Sequence, residues 1–339
     1  MVRFRALCVA SLAIAVASPA AAEPVAEFYK GKNVSLVIGF PPGAGYDAYG
    51  RLLARHLGGH IPGNPGVVAQ NMPGAGAMKA TNYLYGVAAK DGTAISHLPS
   101  SVMMEQLFGN PAVQFDAAKF TWIGNMDQTI GTCAVWHTSG VERFEDLLSK
   151  PVVFGGSGPS GVNSQHAAAL KNLLGARIKL IQGYPGANEI KLAMAKGELQ
   201  GACGMALSSL KSQHASEYRS GELKPIVQLA IDKHPELAGV AHIYDYAKSE
   251  EMRQIFDLVF GPHIIGRPVL APPGIPTERK DALRAAFMAT MADPAFRADA
   301  QKMKLDITPS DGAWVERLFA KFFIYPKPVV EKAIAAMAD

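Results

Sequence analysis

The chain has 339 residues, 49% hydrophobic and 18% charged, with a formal net charge of +4. So small an imbalance gives no electrostatic reason to seek nucleic acid. The length exceeds the ~250–300 residues at which single cores stop growing, so two domains are expected.

Arg3 and Arg5 precede an apolar run from Ala6 to Ala17, and Ser18-Pro19-Ala20-Ala21-Ala22 follows before the first acid, Glu23. This is the order of a secretory signal peptide, with Ala20 and Ala22 as the small residues of an A-x-A site, so cleavage after Ala22 and export are expected. A membrane anchor needs about 20 apolar residues, and this run is shorter. Cys8 lies inside the run rather than at its end, where a lipoprotein carries its cysteine. Cys133 and Cys203 then remain, and an even pair in an oxidising compartment is a disulfide candidate.

Periodicity predicts strands at 33–40, 66–70, 93–98 and 121–126, with helices at 47–57 and 78–87 between them. This βαβ grammar implies a mostly parallel sheet with helices on both faces. The same layout restarts at a strand over 152–155, then a helix at 163–174, a strand at 179–182, a helix at 187–196 and a strand at 201–205. Two copies of one layout mean two α/β lobes. Past Leu229 the pattern loosens until one more apolar run at 259–270, closed by Pro272-Pro273-Gly274, and the tail from Pro276 reads as helices.

Two glycine-rich turns each follow an apolar run and precede a helix: Pro42-Gly43-Ala44-Gly45-Tyr46-Asp47 and Gly155-Gly156-Ser157-Gly158-Pro159-Ser160-Gly161. Such turns aim backbone N–H groups at an anion beside a helix N-terminus. Both match a loose dinucleotide fingerprint, but the strand ends that should carry its ribose-binding acid read Gln70-Asn71 and Gln182-Gly183. The Gly-Lys-Ser/Thr of a P-loop is missing too. What survives is an anion cradle, to which Asn71-Met72-Pro73-Gly74-Ala75-Gly76 adds a third loop. Simple tight turns are the plainer alternative for any one loop.

Asp47 fits a helix N-cap or an i,i+4 partner for Arg51 better than a ligand to a cationic group. Ser160 or Asn163 can cap the helix that follows them, and His166 fits packing better than ligation. Ser208-Ser209-Leu210-Lys211 fits the S-x-x-K of penicillin-binding enzymes, whose Ser-Asp-Asn and Lys-Thr-Gly partners are absent. A hydrolase built on Ser208 and Lys211, or on Ser157 with an unidentified base, is therefore the weaker reading. The nine histidines show no metal-binding spacing, so neither a metal nor a cofactor is expected.

Phe28-Tyr29-Lys30-Gly31-Lys32, the Gly43–Asp47 turn, Arg51-Leu52-Leu53-Ala54-Arg55, His60-Ile61-Pro62-Gly63-Asn64-Pro65 and the Asn71–Gly76 loop together resemble the solute receptors of tripartite tricarboxylate transporters, the Bug-type proteins. Asn82-Tyr83-Leu84-Tyr85, Lys90-Asp91-Gly92-Thr93 and Pro272-Pro273-Gly274-Ile275-Pro276 extend the match. The resemblance implies a type II periplasmic binding protein, α/β, with two doubly wound lobes joined by crossing hinge strands. It divides the chain into a signal peptide at 1–22, a first lobe at 23–128, a second at 129–230, and a return to the first lobe with C-terminal helices at 231–339. It further implies a monomeric periplasmic receptor that is not an enzyme and delivers a small organic carboxylate to polytopic permease subunits. A sensor passing its signal to a membrane kinase is a further alternative. On the matching positions the ligand is expected at Gly43, Ala44, Gly45, Tyr46 and Asp47, at Gly74, Ala75 and Gly76, and at Ser157, Gly158, Ser160 and Gly161. In such a lobe the strand at 132–137 lies antiparallel beside that at 201–205, which implies a Cys133–Cys203 disulfide at a Cα separation of about 5.5 Å. Two buried free thiols are the alternative.

Overall fold

A computed structural model describes residues 24–43, 45–158, 161–184 and 186–339. The expected signal peptide lies outside them, as do Ala44 and Ser160. Among the described residues, no helix is long and apolar enough to cross a membrane.

The chain first lays down β1 (Asn33–Ile38), β2 (Gly66–Asn71), β3 (Ala94–His97) and β4 (Thr121–Asn125). It then crosses to a second sheet made of β5 (Gly131–Trp136), β6 (Val152–Gly155), β7 (Ile178–Ile181), β8 (Gly201–Ala206), β9 (Leu223–Leu229) and β10 (Ala241–His242). β11 (Pro268–Ala271) and β12 (Ser310–Asp311) return to the first sheet. The orders are β12-β4-β11-β3-β1-β2 and β10-β9-β5-β8-β6-β7, the two six-stranded sheets of a two-lobed α/β fold.

Both sheets are mixed rather than mostly parallel. β11 runs antiparallel to β3 and β4, and β5 antiparallel to β8 and β9. The reason is the crossing itself: each of these strands enters its sheet from the other lobe, so it starts at the end where its neighbours finish. The C-terminal ends of β1, β2, β3 and β4 consequently face those of β6, β7, β8 and β9.

Local packing follows burial. β1 carries Val34, Leu36, Val37 and Ile38, all buried, as a central strand covered on both faces must. The Gly45–Leu57 helix buries Tyr49, Leu52, Leu53 and Leu57 along one stripe, in a core shared with the Thr277–Ala292 and Pro294–Lys302 helices.

The apolar run at 259–270 is three elements, the end of a helix (Glu250–Phe260), a 3-10 turn (Gly261–Ile264) and β11. β10 still belongs to the second sheet, so the chain re-enters the first sheet at β11 and not at residue 231. The final helix, Lys327–Met337, packs on the Val162–Leu174 helix of the second lobe and on Glu250–Phe260.

Candidate functional site

Two antiparallel segments join the lobes. Met126 N–H donates to Arg267 O at 2.9 Å, Gly266 N–H donates to Asp127 O at 3.2 Å, and Gln128 bridges Ile265. Asn125, fully buried, ties the segments together: its Nδ2 donates to Asp127 O and its Oδ1 accepts from Arg267 N–H, each at 2.8 Å. A Cβ on Gly266 would lie 1.8 Å from Thr129 Oγ1, so only glycine fits this crossing. Burial pushes the Asp127 carboxyl up, against hydrogen bonds from Thr308 and Thr129 and the charge of Arg267.

Beside these segments, between the lobes, lies a cleft of about 680 Å³. Its walls are the loops that follow β1, β2 and β3, the start of the Val162–Leu174 helix, Gly204, and the hinge residues Thr129 and Ile265–Arg267. Ligands of open α/β sheets bind at such strand ends, where helix N-termini converge. Of the expected ligand residues, Tyr46, Ala75, Gly76 and Gly161 line the cleft. Gly43, Gly45, Asp47, Gly74, Ser157 and Gly158 belong to the same turns without forming its wall.

In the first turn, Asp47 is buried and its carboxylate is fully engaged. It accepts from Gly43 N–H at 2.9 Å, Arg51 Nε at 2.9 Å and Asn71 Nδ2 at 2.8 Å. Burial acts to raise its pKa, but the bonds from Arg51, Asn71 and Gly43 hold the carboxyl below its usual range. Tyr46 stacks on Phe40 with centroids 4.7 Å apart, touches His97, and donates its hydroxyl to Gly266 O at 3.0 Å.

The second loop is left-handed for four residues: Gly74, Ala75, Gly76 and Ala77 have φ of 147, 46, 63 and 77°. Alanine is strained there, and strain of this kind collects at ligand clamps. The Met78–Gly86 helix that follows has no side-chain cap, and neither does Val162–Leu174. At the Met78–Gly86 helix the preceding turn takes up the first donors, Met78 N–H giving to Ala75 O and Lys79 N–H to Gly74 O at 3.5 Å, whereas the start of Val162–Leu174 can offer its first N–H groups to an external acceptor.

In the third loop, Ser157 Oγ donates to Asn163 Oδ1 at 3.1 Å, Gly158 N–H to Ser164 Oγ at 3.3 Å, and Asn163 Nδ2 to Cys203 O at 3.2 Å. Cys203 is disulfide-bonded to Cys133, tying the strand that enters the second lobe to the strand against the cleft. A bulge in the β5–β8 ladder, with Gly204 at φ 67°, accompanies a Cα separation of 3.9 Å, closer than a regular ladder sets.

Sequence reasoning missed Arg267. Its guanidinium lies 4.6 and 4.8 Å from the ring centroids of Tyr46 and Tyr49, lines the cleft, and has no ion pair among the described residues. An arginine interrupting an apolar run was the available signal. His97 was missed too. Its Nδ1 donates to Pro268 O at 2.7 Å while Nε2 is buried without a partner, and burial pushes its pKa down to about 3. His263, on the cleft wall, is pushed down by burial to about 4 and meets the buried His166 edge-on at 4.6 Å.

The hydrolase residues are occupied differently. Lys211 Nζ donates to Glu236 at 2.9 Å, which raises its pKa and keeps it an ammonium, the wrong state for a general base. Among the described residues no group of acids, histidines and cysteines is placed to hold a metal ion.

Two sheets joined by paired crossing strands, with a cleft at the facing strand ends, define the two-lobed periplasmic binding protein fold. Solved structures that share this fold include solute-binding proteins of the TctC and Bug type. A TctC solute-binding protein from Polaromonas is 17% identical with a TM-score of 0.69, over 90% of this chain and 99% of that one. The periplasmic binding protein BugD is 17% identical with a TM-score of 0.63, over 92% and 99%. MatC from Rhodopseudomonas palustris, with bound malate, is 15% identical with a TM-score of 0.61, over 91% and 99%. At these identities the shared property is the fold. No family model matches the chain, and no curated protein does.

Proposed function

We propose that the protein is a Bug-type periplasmic receptor that captures a small organic carboxylate between its lobes and delivers it to a membrane permease. One observation carries this reading: first-turn residues of three helices, Tyr46, Met78 and Val162, meet in one inter-lobe cleft with Arg267, a guanidinium that has no ion pair within 4.0 Å among the described residues. Partial positive charge at helix N-termini and a whole charge on arginine favour a carboxylate. Gly43, Ala44, Gly45, Asp47, Gly74, Ala75 and Gly76 would shape the first jaw, and Ser157, Gly158, Ser160 and Gly161 the second. The malate bound to MatC and the secretory pattern of residues 1–22 support the same reading. Closure about the hinge would bury the ligand and present the closed form to the permease.

Thermal melts of the ligand-free protein against di- and tricarboxylates, aromatic acids and amino acids test the proposal. A ligand at ~100 times its dissociation constant adds ~2.7 kcal/mol of stability. A folded, ligand-free protein whose midpoint no anion raises is not a carboxylate receptor.

A further inference from the structure

We propose that the carboxylate taken by this cleft is a monocarboxylate with an apolar body, an aryl- or alkyl-alkanoate, rather than a di- or tricarboxylate. The inference rests on the receptor reading above and adds the charge and polarity of the ligand.

The charge count comes first. Arg267 is the one lysine or arginine among the described residues that line the cleft. The other charged group on the wall is Glu105, which accepts from Asn110 Nδ2 at 2.7 Å and presents a negative charge to anything bound. His263 contributes a neutral ring, because burial keeps it unprotonated at neutral pH. A single carboxylate balances Arg267. A second would enter without a cation and in the presence of Glu105, and a carboxylate taken out of water unpaired is strongly disfavoured. Helix N-termini offer about half a charge each, which favours the first carboxylate but is a weak substitute for a second cation.

The wall decides the rest of the ligand. Met78, Val102, Met104, Phe108, Leu258 and Val259 all line the cleft. An acid with several carboxylates or hydroxyls would be stripped of water against these side chains, and the polar groups elsewhere on the wall, Ser101, Thr129 and Gln165, are uncharged and repay a second carboxylate only in part. A ring or alkyl chain gains from the same surface, and the methionines adapt to its shape. At about 680 Å³ the cleft lies within the ~300–1,000 Å³ of cavities that enclose ligands larger than a four-carbon acid.

Four probes separate charge from apolar body: 3-phenylpropanoate, phenylsuccinate, propanoate and 3-phenylpropan-1-ol. Phenylsuccinate adds a second carboxylate to a similar body, propanoate removes the ring, and the alcohol removes the charge. Titration calorimetry on protein stripped of carried-over ligand is expected to show 3-phenylpropanoate binding at least tenfold tighter than each of the others. Arg267→Gln should cut that affinity tenfold or more and leave the alcohol unchanged, with Arg267→Lys recovering part of the loss. Phenylsuccinate, malate or citrate binding more tightly than 3-phenylpropanoate overturns the inference and leaves the receptor reading standing. Failure of every acid to bind overturns both. Should Arg267→Gln not fold, the four-probe series on the unaltered protein decides alone.

Discussion

The guanidinium of Arg267 lies 4.6 Å from the centroid of the Tyr46 ring, and the Tyr46 hydroxyl donates to the carbonyl of Gly266 at 3.0 Å. Two contacts of different kinds thus fasten the strand returning from the second lobe onto the first glycine turn. The hinge and the ligand cradle therefore share a residue pair.

Substitutions at Tyr46 should separate the two contacts. Tyr46→Phe loses a hydrogen bond but keeps the aromatic face, for a loss of about 1 kcal/mol. Tyr46→Leu also removes the attraction between ring and guanidinium, a further ~0.5–2 kcal/mol. Denaturant melts of both variants read the difference; equal stability of the two would mean that the Arg267 contact contributes nothing.

Much of the fold was legible in the sequence because the strands that converge on the cleft are continuous apolar runs followed by glycine turns. Gly155 ends its strand as read, while the strands read as 33–40 and 66–70 end at Ile38 and Asn71, two residues earlier and one later. The run at 259–270 was not legible as three elements, since a buried helix end such as Leu258–Phe260 and a buried strand such as Val269–Ala271 are equally apolar. The glycine loops could be named because positive φ favours glycine, as at Gly43, Gly74 and Gly158. Which of their residues would face the cleft depends on how the lobes meet, and no local pattern encodes that. Arg267 escaped for the same reason: the hinge brings it beside Tyr46 across 221 positions of sequence, which periodicity does not register.

Stability should fall in mild acid. An unfolded histidine titrates near 6.5, whereas burial holds His97 down to about 3 and His263 to about 4. Between those values the unfolded chain binds more protons than the native one. Stability from this source is complete above about pH 6.5 and is lost as the pH falls toward 4, by up to ~1.4 kcal/mol per pH unit for each histidine. Urea melts from pH 7.5 to 4.5 measure the slope. His97→Asn, which keeps a donor for Pro268 O, should flatten it; an unchanged slope would remove His97 from the account.

Reducing the Cys133–Cys203 disulfide should destabilise the protein strongly. The cysteines are 70 positions apart, and closing a loop of that length restricts the unfolded chain by about 4 kcal/mol. Melting with and without reductant, with Cys133→Ala/Cys203→Ala as a reductant-insensitive control, reads this directly. Alkylation of both thiols under denaturing, non-reducing conditions would show that the bridge does not form. Because Cys203 O accepts from Asn163 Nδ2, the reduced protein should also hold the start of the Val162–Leu174 helix less firmly and bind its ligand more weakly.

The loop after β2 offers a test in which stability and binding should move in opposite directions. Ala75 is exposed at φ 46°, where a Cβ costs roughly 1–2 kcal/mol relative to glycine. Ala75→Gly relieves that strain at an entropic cost of about 0.5–1 kcal/mol, so a net stabilisation of about 0.5–1 kcal/mol is expected. Ala77, at φ 77°, is a different case because it is buried and its methyl packs toward Gly39. Deleting that methyl sacrifices about 0.8 kcal/mol of burial, which offsets most of the relief in Ala77→Gly. If the left-handed run holds its N–H groups toward the cleft, Ala75→Gly should melt higher and bind a carboxylate a few-fold more weakly, since the looser loop must be ordered again on binding. A lower melting point in Ala75→Gly would mean that the strain at this position is absent.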